Sequence, residues 1–426
     1  MLLRIILTAI PLILLPLPLI FESRLLQLSD DQQLMIRTLP LLLTLVVVLL
    51  GLGLKHYRAV WLSLHLVLAG AMLQLLAAQS ASNPAQYMTL LLASLIWPLL
   101  QWVILLLPDR HLLSRNGMRR LLLLAGPYAS LLLLWHYAPL TLTEWLLALP
   151  PVLIEYTFSG LTLSHGALVW NLVWLTLCLG FMRSRPLDTL VTLTLSIAML
   201  LSLAKPDLPL IGSLYQVLSQ LILIGALVHH GYSMAFLDTL TGVPGRRALE
   251  HYLQTPGRQY VIAMLDIDHF KQFNDRYGHD TGDQVLRMVA SQLNMVQAGG
   301  RLFRYGGEEF TVVFRRRSEA EALPALENIR EKVASYPLAI RDAKRPKNNE
   351  KGRQKRGKDA QNKVVNVTIS IGACENQPDE TPTQVIKRAD QALYMAKEQG
   401  RNCVRTGRER PRQKRRSRTD FARETA

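Results

Sequence analysis

Long apolar stretches broken by brief polar connections fill the first 230 residues, and shorter strand-like and helix-like periods alternate after them. The apolar runs fall at 2–21, 36–54, 59–78, 87–107, 121–138, 163–182, 187–204 and 210–229. About 20 apolar residues cross a hydrocarbon core as a helix at ~1.5 Å per residue. The pattern therefore predicts an all-α polytopic membrane bundle of about eight transmembrane helices over residues 1–230. Residues 142–154 (LTEWLLALPPVLI) are also apolar, but they reach only about two-thirds of that thickness. Pro150-Pro151 would also interrupt a helix there, so the piece reads as interfacial or re-entrant. The first run follows Arg4 as in a signal peptide, yet Phe21-Glu22-Ser23-Arg24 offers no small-x-small cleavage site. It is expected to remain as an anchor.

Charge in the connections orients the bundle. Lys55, Arg58, Arg110, Arg115, Arg119, Arg120, Arg183 and Arg185 fall in alternate connections, whereas the opposite ones hold only Arg24, Arg37 and Lys205. Cytoplasmic loops retain Lys and Arg, so both termini are expected on the cytoplasmic side of the membrane. Few polar residues lie within the runs: His65, Gln74, Gln101, His136 and Asn171. Interhelical hydrogen bonding accounts for them; a ligand- or proton-sensing cavity is the alternative.

After a short linker, 231–237, the periods change. RQYVIAMLDID is β-rich, and TGDQVLRMVASQLNMV repeats Val285, Met288, Val289 and Leu293 at helical spacing. RLFRYGGEEFTVVF reads as two strands meeting at a double glycine, a hairpin signal. EAEALPALENIREKVASY is helical, VVNVTISIGAC alternates as a strand, and PTQVIKRADQALYMAKEQG reads as a helix from Thr383 to a stop at Gly400. Mixed elements with an antiparallel hairpin favour an α+β domain over an all-parallel sheet.

Composition sharpens this picture. The chain of 426 residues is 50% hydrophobic yet carries a formal charge of +16. Residues 1–230 hold 12 Lys+Arg against 8 Asp+Glu, so most of the surplus lies beyond them. It is concentrated in 341–363, with ten basic and three acidic residues, and in 404–426, with nine and three. The first stretch reads as a basic insertion and residues 406–426 as a basic disordered tail. A solvated loop and tail would suffice; contact with anionic membrane lipids is the functional alternative. Only Phe421 interleaves with these charges, which disfavours nucleic acid. Cys178, Cys374 and Cys403 do not form a disulfide framework, so a stapled secreted fold is excluded.

Three features carry candidate chemistry. Asp266-Ile267-Asp268 ends an apolar strand, which points both carboxylates to one face with the Ile267 carbonyl between them. Gly306-Gly307-Glu308-Glu309 places acids at a hairpin tip where glycine lets backbone approach a ligand. Carboxylates from neighbouring strand ends suit Mg²⁺, a hard cation that keeps water and phosphate as further ligands. Lys397 and Arg401 are four apart at a helix end, and with Lys271 they suit phosphate oxygens. Together the three describe metal-assisted nucleotidyl transfer.

LDTLTGVPGRRAL, LDIDHFKQFNDRYGHDTGDQVL, RYGGEEF and RADQALYMAKEQGRN, in this order, resemble the GGDEF-domain diguanylate cyclases in their GGEEF form. The resemblance covers residues 238–405, and implies a nucleotide-cyclase-like palm with a mainly antiparallel sheet flanked by helices. It also implies condensation of two GTP into cyclic di-GMP and two pyrophosphates across a homodimer, with two Mg²⁺ per site (Mn²⁺ substituting). Regulation of the motile-to-sessile, biofilm-forming switch would follow, with other membrane or signalling proteins as partners. Asp266, the Ile267 carbonyl and Glu308 are then metal ligands; Glu308 helps deprotonate the 3′-hydroxyl, and Glu309 lies beside the metals. Asn274 and Asp283 read guanine, His279 touches the nucleotide, Lys271, Lys397 and Arg401 meet the triphosphate, and Gly306 and Gly307 approach it by backbone.

Two positions depart from that pattern. Gln297 and Gly300 stand where the family's product-inhibition motif R-x-x-D has Arg and Asp, and Gly245 replaces the usual Asn before Arg246. A catalytically inactive domain serving as nucleotide receptor or scaffold is the alternative function, disfavoured by the intact acids and Lys397.

Overall fold

The computed structural model describes residues 13–77, 84–109, 111, 114–137, 155–158, 161–164, 186–203, 208–340 and 363–407. The re-entrant piece 142–154, nearly all of the run 163–182 with Asn171, residues 341–362 of the basic insertion, and the tail from 408 lie outside them. The chain divides into two compact units, Met1–Gly231 and Tyr232–Ala426.

In the first unit the described end of the first apolar run is not one helix. Pro16 and Pro18 leave single turns, α1 (Leu17–Ile20) and α2 (Glu22–Leu25). Then follow α3 (Asp30–Gly53), α4 (Tyr57–Ala77), α5 (Pro84–Leu106), α6 (Arg115–Tyr137), the hairpin β1 (Glu155–Phe158) and β2 (Leu161–Ser164), α7 (Pro186–Leu203) and α8 (Pro209–Phe236). Helices α3 to α8 coincide with six of the eight apolar runs. Four helices among the described residues are long and apolar enough to cross a membrane, at Asp30–Gly53, Tyr57–Leu75, Arg115–Leu134 and Pro209–Phe236.

Polar side chains inside this unit hydrogen-bond between helices. Gln220 accepts from the Ser63 hydroxyl at 2.7 Å and donates to Thr44 at 2.9 Å, joining α8 to α4 and α3. Gln74 donates to Ser213, Gln101 accepts from Ser196, and the Tyr128 hydroxyl meets His65 Nδ1 at 2.8 Å. His136 instead stands exposed, edge-on to Tyr137.

The segment expected as a linker, 231–237, is mostly helix, because α8 continues unbroken to Phe236. The second unit then forms α9 (Arg246–Tyr252), β3 (Tyr260–Ile267), α10 (Phe270–Tyr277), α11 (His279–Leu293), β4 (Arg301–Gly306), β5 (Glu309–Arg315), α12 (Glu319–Ser335), β6 (Leu338–Ile340), β7 (Lys363–Val365), β8 (Ile369–Glu375), α13 (Pro382–Glu398) and β9 (Val404–Thr406). One five-stranded sheet runs β4-β5-β3-β8-β9, antiparallel except for β8–β9, and β6 pairs with β7 apart from it. The expected α+β class holds.

Strand alternation builds two cores. Val261, Ala263, Leu265 and Ile267 of β3 pack with Val285, Val289 and Leu293 of α11 and Leu326 and Ile329 of α12. Tyr260, Ile262 and Met264 face the other way, onto Leu249 of α9 and Val385, Ala389, Ala392 and Leu393 of α13. Gly372 of β8 makes that second layer thin: a Cβ there would lie 2.0 Å from Leu393 N and 2.2 Å from Ala389 O. Helix α13 begins earlier than the sequence suggests. Thr381 caps it in a box with Gln384, and Pro382 takes the first helical position, where a missing N–H is harmless.

Candidate active site

The site grows from β3 where its second face runs out of apolar residues. Asp266 continues the Ile262–Met264 row past the core and is paired in register with Glu309 of β5. Directly opposed residues in antiparallel strands share a face, with Cβ atoms about 4.5–5.5 Å apart. Helix α13 crosses this face and ends over it, so Lys397 Nζ lies 2.8 Å from Asp266 Oδ2. Burial pushes the Asp266 carboxyl above its ordinary range, Lys397 pulls it down, and Asp268 adds a smaller upward push. Burial likewise raises Glu309, reinforced by Asp266 and by Asp390 of α13. Asp390, seven residues before Lys397 and so two turns away on one helix face, is an acidic neighbour that sequence reasoning did not single out.

Asp268 does a different job from Asp266. It accepts from the Thr368 hydroxyl at 2.7 Å, the Ser370 hydroxyl at 2.6 Å and the Asn402 amide at 3.1 Å. The carboxylate thus ties the turn after α13 to the end of β3. That turn contains Gly400, Arg401 and Asn402, all at positive φ, and Arg401 is exposed on it.

The hairpin tip is Gly307-Glu308, closing β4 on β5 with Gly306 opposite Glu309. Gly307 has φ +49°, the conformation for which glycine is suited. Arg304 braces the tip: its Nη2 donates to the Gly307 carbonyl at 2.6 Å and its Nη1 to Asp238 Oδ1 at 2.7 Å. The same Asp238 oxygen accepts the Thr241 amide and hydroxyl at 2.8 and 2.6 Å. Burial would raise Asp238, but the Thr241 and Arg304 bonds outweigh it and hold the carboxyl below its ordinary value. Sequence reasoning missed this brace; its only signal was Arg304 at the head of RYGGEEF and Asp238 at the head of LDTLTG.

Asn274 and Asp283 come from α10 and α11, and the tight approach of these helices needs Gly282. A Cβ there would stand 1.8 Å from Asn274 Oδ1. That Oδ1 is buried without a hydrogen-bond partner, a state natural proteins seldom leave unexplained. Lys271 on α10 and His279 at the start of α11 are exposed.

Among the described residues no group of three His, Cys, Asp or Glu side chains could hold a metal ion. The donors expected from the sequence are Asp266, Glu308 with Glu309 beside it, and the Ile267 carbonyl. Mg²⁺ fits such a set, because it takes one or two carboxylates and completes its shell with water and substrate phosphate. Raised carboxyls crowded at Asp266 and Glu309 are what a cation would relieve.

Gly245 opens α9 with extended backbone and no side-chain cap. Gly300 lies against Phe314, where a Cβ would be 2.7 Å from the ring. An Asp at this position, as in R-x-x-D, would require that ring to shift.

Known proteins resemble the second unit in sequence. The family described as diguanylate cyclase, GGDEF domain, matches residues 235–352 and 350–403. The response regulator PleD of Caulobacter vibrioides is 39% identical over 184 residues, covering 41% of this chain and 37% of PleD. Diguanylate cyclase VdcA of Vibrio cholerae is 34% identical over 174 residues, covering 40% of this chain and 46% of VdcA. The crystal structure of the GGDEF domain of DgcB from Caulobacter crescentus in complex with c-di-GMP is 36% identical, with a TM-score of 0.35, covering 41% of this chain and 97% of that one. The chain thus spans less than half the length of these two curated relatives. Residues 235–403, in the C-terminal unit, thus carry a domain of the family described as diguanylate cyclase, GGDEF domain.

Proposed function

We propose that the protein is a membrane-bound diguanylate cyclase that joins two GTP into cyclic di-GMP and releases two pyrophosphates. The observation that carries the reading is the Asp266–Glu309 register pair beneath Lys397, beside the GGEE hairpin tip. When bound, Mg²⁺ would be held by Asp266, Glu308 and the Ile267 carbonyl and would supply Lewis-acid stabilisation of the leaving pyrophosphate. Asn274 and Asp283 accept the N–H groups of guanine. Lys397 and Arg401, with Lys271, bind triphosphate oxygens, and Glu308 takes the proton of the attacking 3′-hydroxyl. One domain offers one such set, so the reaction requires two domains face to face, each presenting one GTP. A homodimer follows from that requirement.

Four helices of membrane-spanning length support placement in the inner membrane, with the cyclase domain on the cytoplasmic side. The basic stretches 341–363 and 404–426 would add contact with anionic lipid. The decisive assay incubates detergent-solubilised full-length protein with GTP and Mg²⁺ and looks for cyclic di-GMP. Product is expected from wild type and absent from Glu308→Ala. A folded dimer that makes none would leave a nucleotide-binding scaffold as the function.

A further inference from the structure

We propose that Asp268 and Arg330 are positioning residues for the reaction, acting through Asn402 to hold Arg401 where the triphosphate of GTP binds. The inference rests on the reading of Arg401 as a phosphate contact. Arg401 lies in the turn that follows α13, where Gly400, Arg401 and Asn402 have φ of +111°, +64° and +44°. One left-handed residue, usually glycine, is enough to end a helix. Here two residues with side chains follow it into that region, which such residues occupy only when their surroundings fix them there.

Asn402 is fixed through both its backbone and its side chain. Its amide donates to Asp268 Oδ2 at 3.1 Å, and its Oδ1 accepts from Arg330 Nη1 of α12 at 2.9 Å. Asp268 is 7% exposed and is itself held by the hydroxyls of Thr368 and Ser370, 2.7 and 2.6 Å away. Arg330 is anchored by Glu327 Oε2, one turn earlier on α12, at 2.5 Å. The Arg401 amide donates to the Ala396 carbonyl at 3.0 Å, which secures the turn to the end of α13. The backbone of Arg401 is thus clamped on both sides, while its side chain stays exposed.

The clamp serves the candidate site. Asp266, raised by burial, is pulled down by Lys397 and, more weakly, by Arg401, so the Arg401 charge lies within electrostatic reach of the same carboxylate. A long cationic side chain on a loose turn loses affinity to the cost of ordering it on binding. A backbone fixed beforehand removes part of that cost and holds the guanidinium near the phosphates it must meet. Both oxygens of Asp268 are engaged within the protein, which sets its work apart from that of Asp266.

The test titrates full-length protein in detergent with a non-hydrolysable GTP analogue and Mg²⁺, and reads the KM for GTP beside the Kd of the analogue. Asp268→Asn keeps the size of the side chain but sets an amide N–H group among the donors of Thr368, Ser370 and Asn402. It should raise Kd and KM about tenfold. Arg330→Gln should raise both about threefold. Arg401→Ala should raise them about tenfold or more, and in that background neither substitution should weaken binding further. A merely structural role predicts the same loss with and without Arg401. Arg330 is 16% exposed and its acidic neighbours more so, so Arg330→Gln carries the test alone where Asp268→Asn does not fold. A Kd unchanged in both single variants, or losses that persist undiminished in Arg401→Ala, would overturn the assignment. Wild type that binds the analogue but makes no cyclic di-GMP sinks only the cyclase reading; wild type that does not bind it sinks both.

Discussion

Asp266 and Asp268 leave β3 two residues apart on one face, yet their neighbours give them different work. Asp268 is saturated by Thr368, Ser370 and Asn402, whereas Asp266 keeps company with Lys397 and the register-paired Glu309. Glu309 allows a test of sign. Its folded carboxyl is raised, so its contribution to stability is whole below the unfolded value, about 4.3, and is lost as pH rises through the folded one. Glu309→Gln should therefore raise the unfolding midpoint at pH 7.5, by under about 1 kcal/mol because the group is half-exposed and screened. Near pH 4 the gain should vanish, and Mg²⁺ should shrink it at pH 7.5; an equal gain at both pH values refutes the assignment. Asn274 offers a second test. Its buried Oδ1 has no partner to lose, so Asn274→Ala should leave the free domain's stability within about 1 kcal/mol of wild type. The KM for GTP should nevertheless rise about tenfold or more, read by steady-state kinetics, because one guanine contact disappears.

Helix α13 sets the geometry of the site through small residues. Ala389, Ala392 and Ala396 are fully buried and Gly372 lies beneath the helix, which brings the Lys397 end down to Asp266. Gly372→Ala should cost about 1–3 kcal/mol by overpacking and should lower the rate of product formation, since the helix must lift. Chemical denaturation and the cyclase assay check the two effects. The β3, β4 and β5 strands and α11 were legible because their apolar residues repeat at strand and helix periods and each buries one face. The GGEE tip and Asp266 were legible because glycine and acids end apolar strands. The Asp238–Arg304 brace was not, since 66 positions separate its partners and periodicity reports nothing about ion pairs at that range. Asp268 was read with Asp266 because strand geometry gives direction, not partners. The start of α13 moved to Thr381 because Pro382 belongs to the first turn, a signal weaker than the apolar period that follows it. The brace itself is testable: Asp238→Asn and Arg304→Gln should be coupled by about 1–2 kcal/mol in a double-mutant cycle. The two side chains are only 22% and 12% exposed, so strictly additive effects would contradict a shared contact.

For the whole molecule, the division of labour between the two units bears on activity. The second unit has cores of its own on both faces of its sheet, and each domain supplies one set of site residues, so the proposed reaction depends on how often two domains meet. Helix α8 runs on past Gly231 to Phe236. If the helical unit pairs with a second copy, the domains are held at a high effective concentration, commonly in the millimolar range for short tethers. Specific activity of the full-length protein in micelles should then stay flat on dilution. Residues 231–426 alone, below their own dimerisation constant, should lose specific activity in proportion to dilution, about tenfold for a tenfold step by mass action. Equal dilution curves for the two proteins would locate dimerisation in the cyclase domain itself and leave the helices as an anchor.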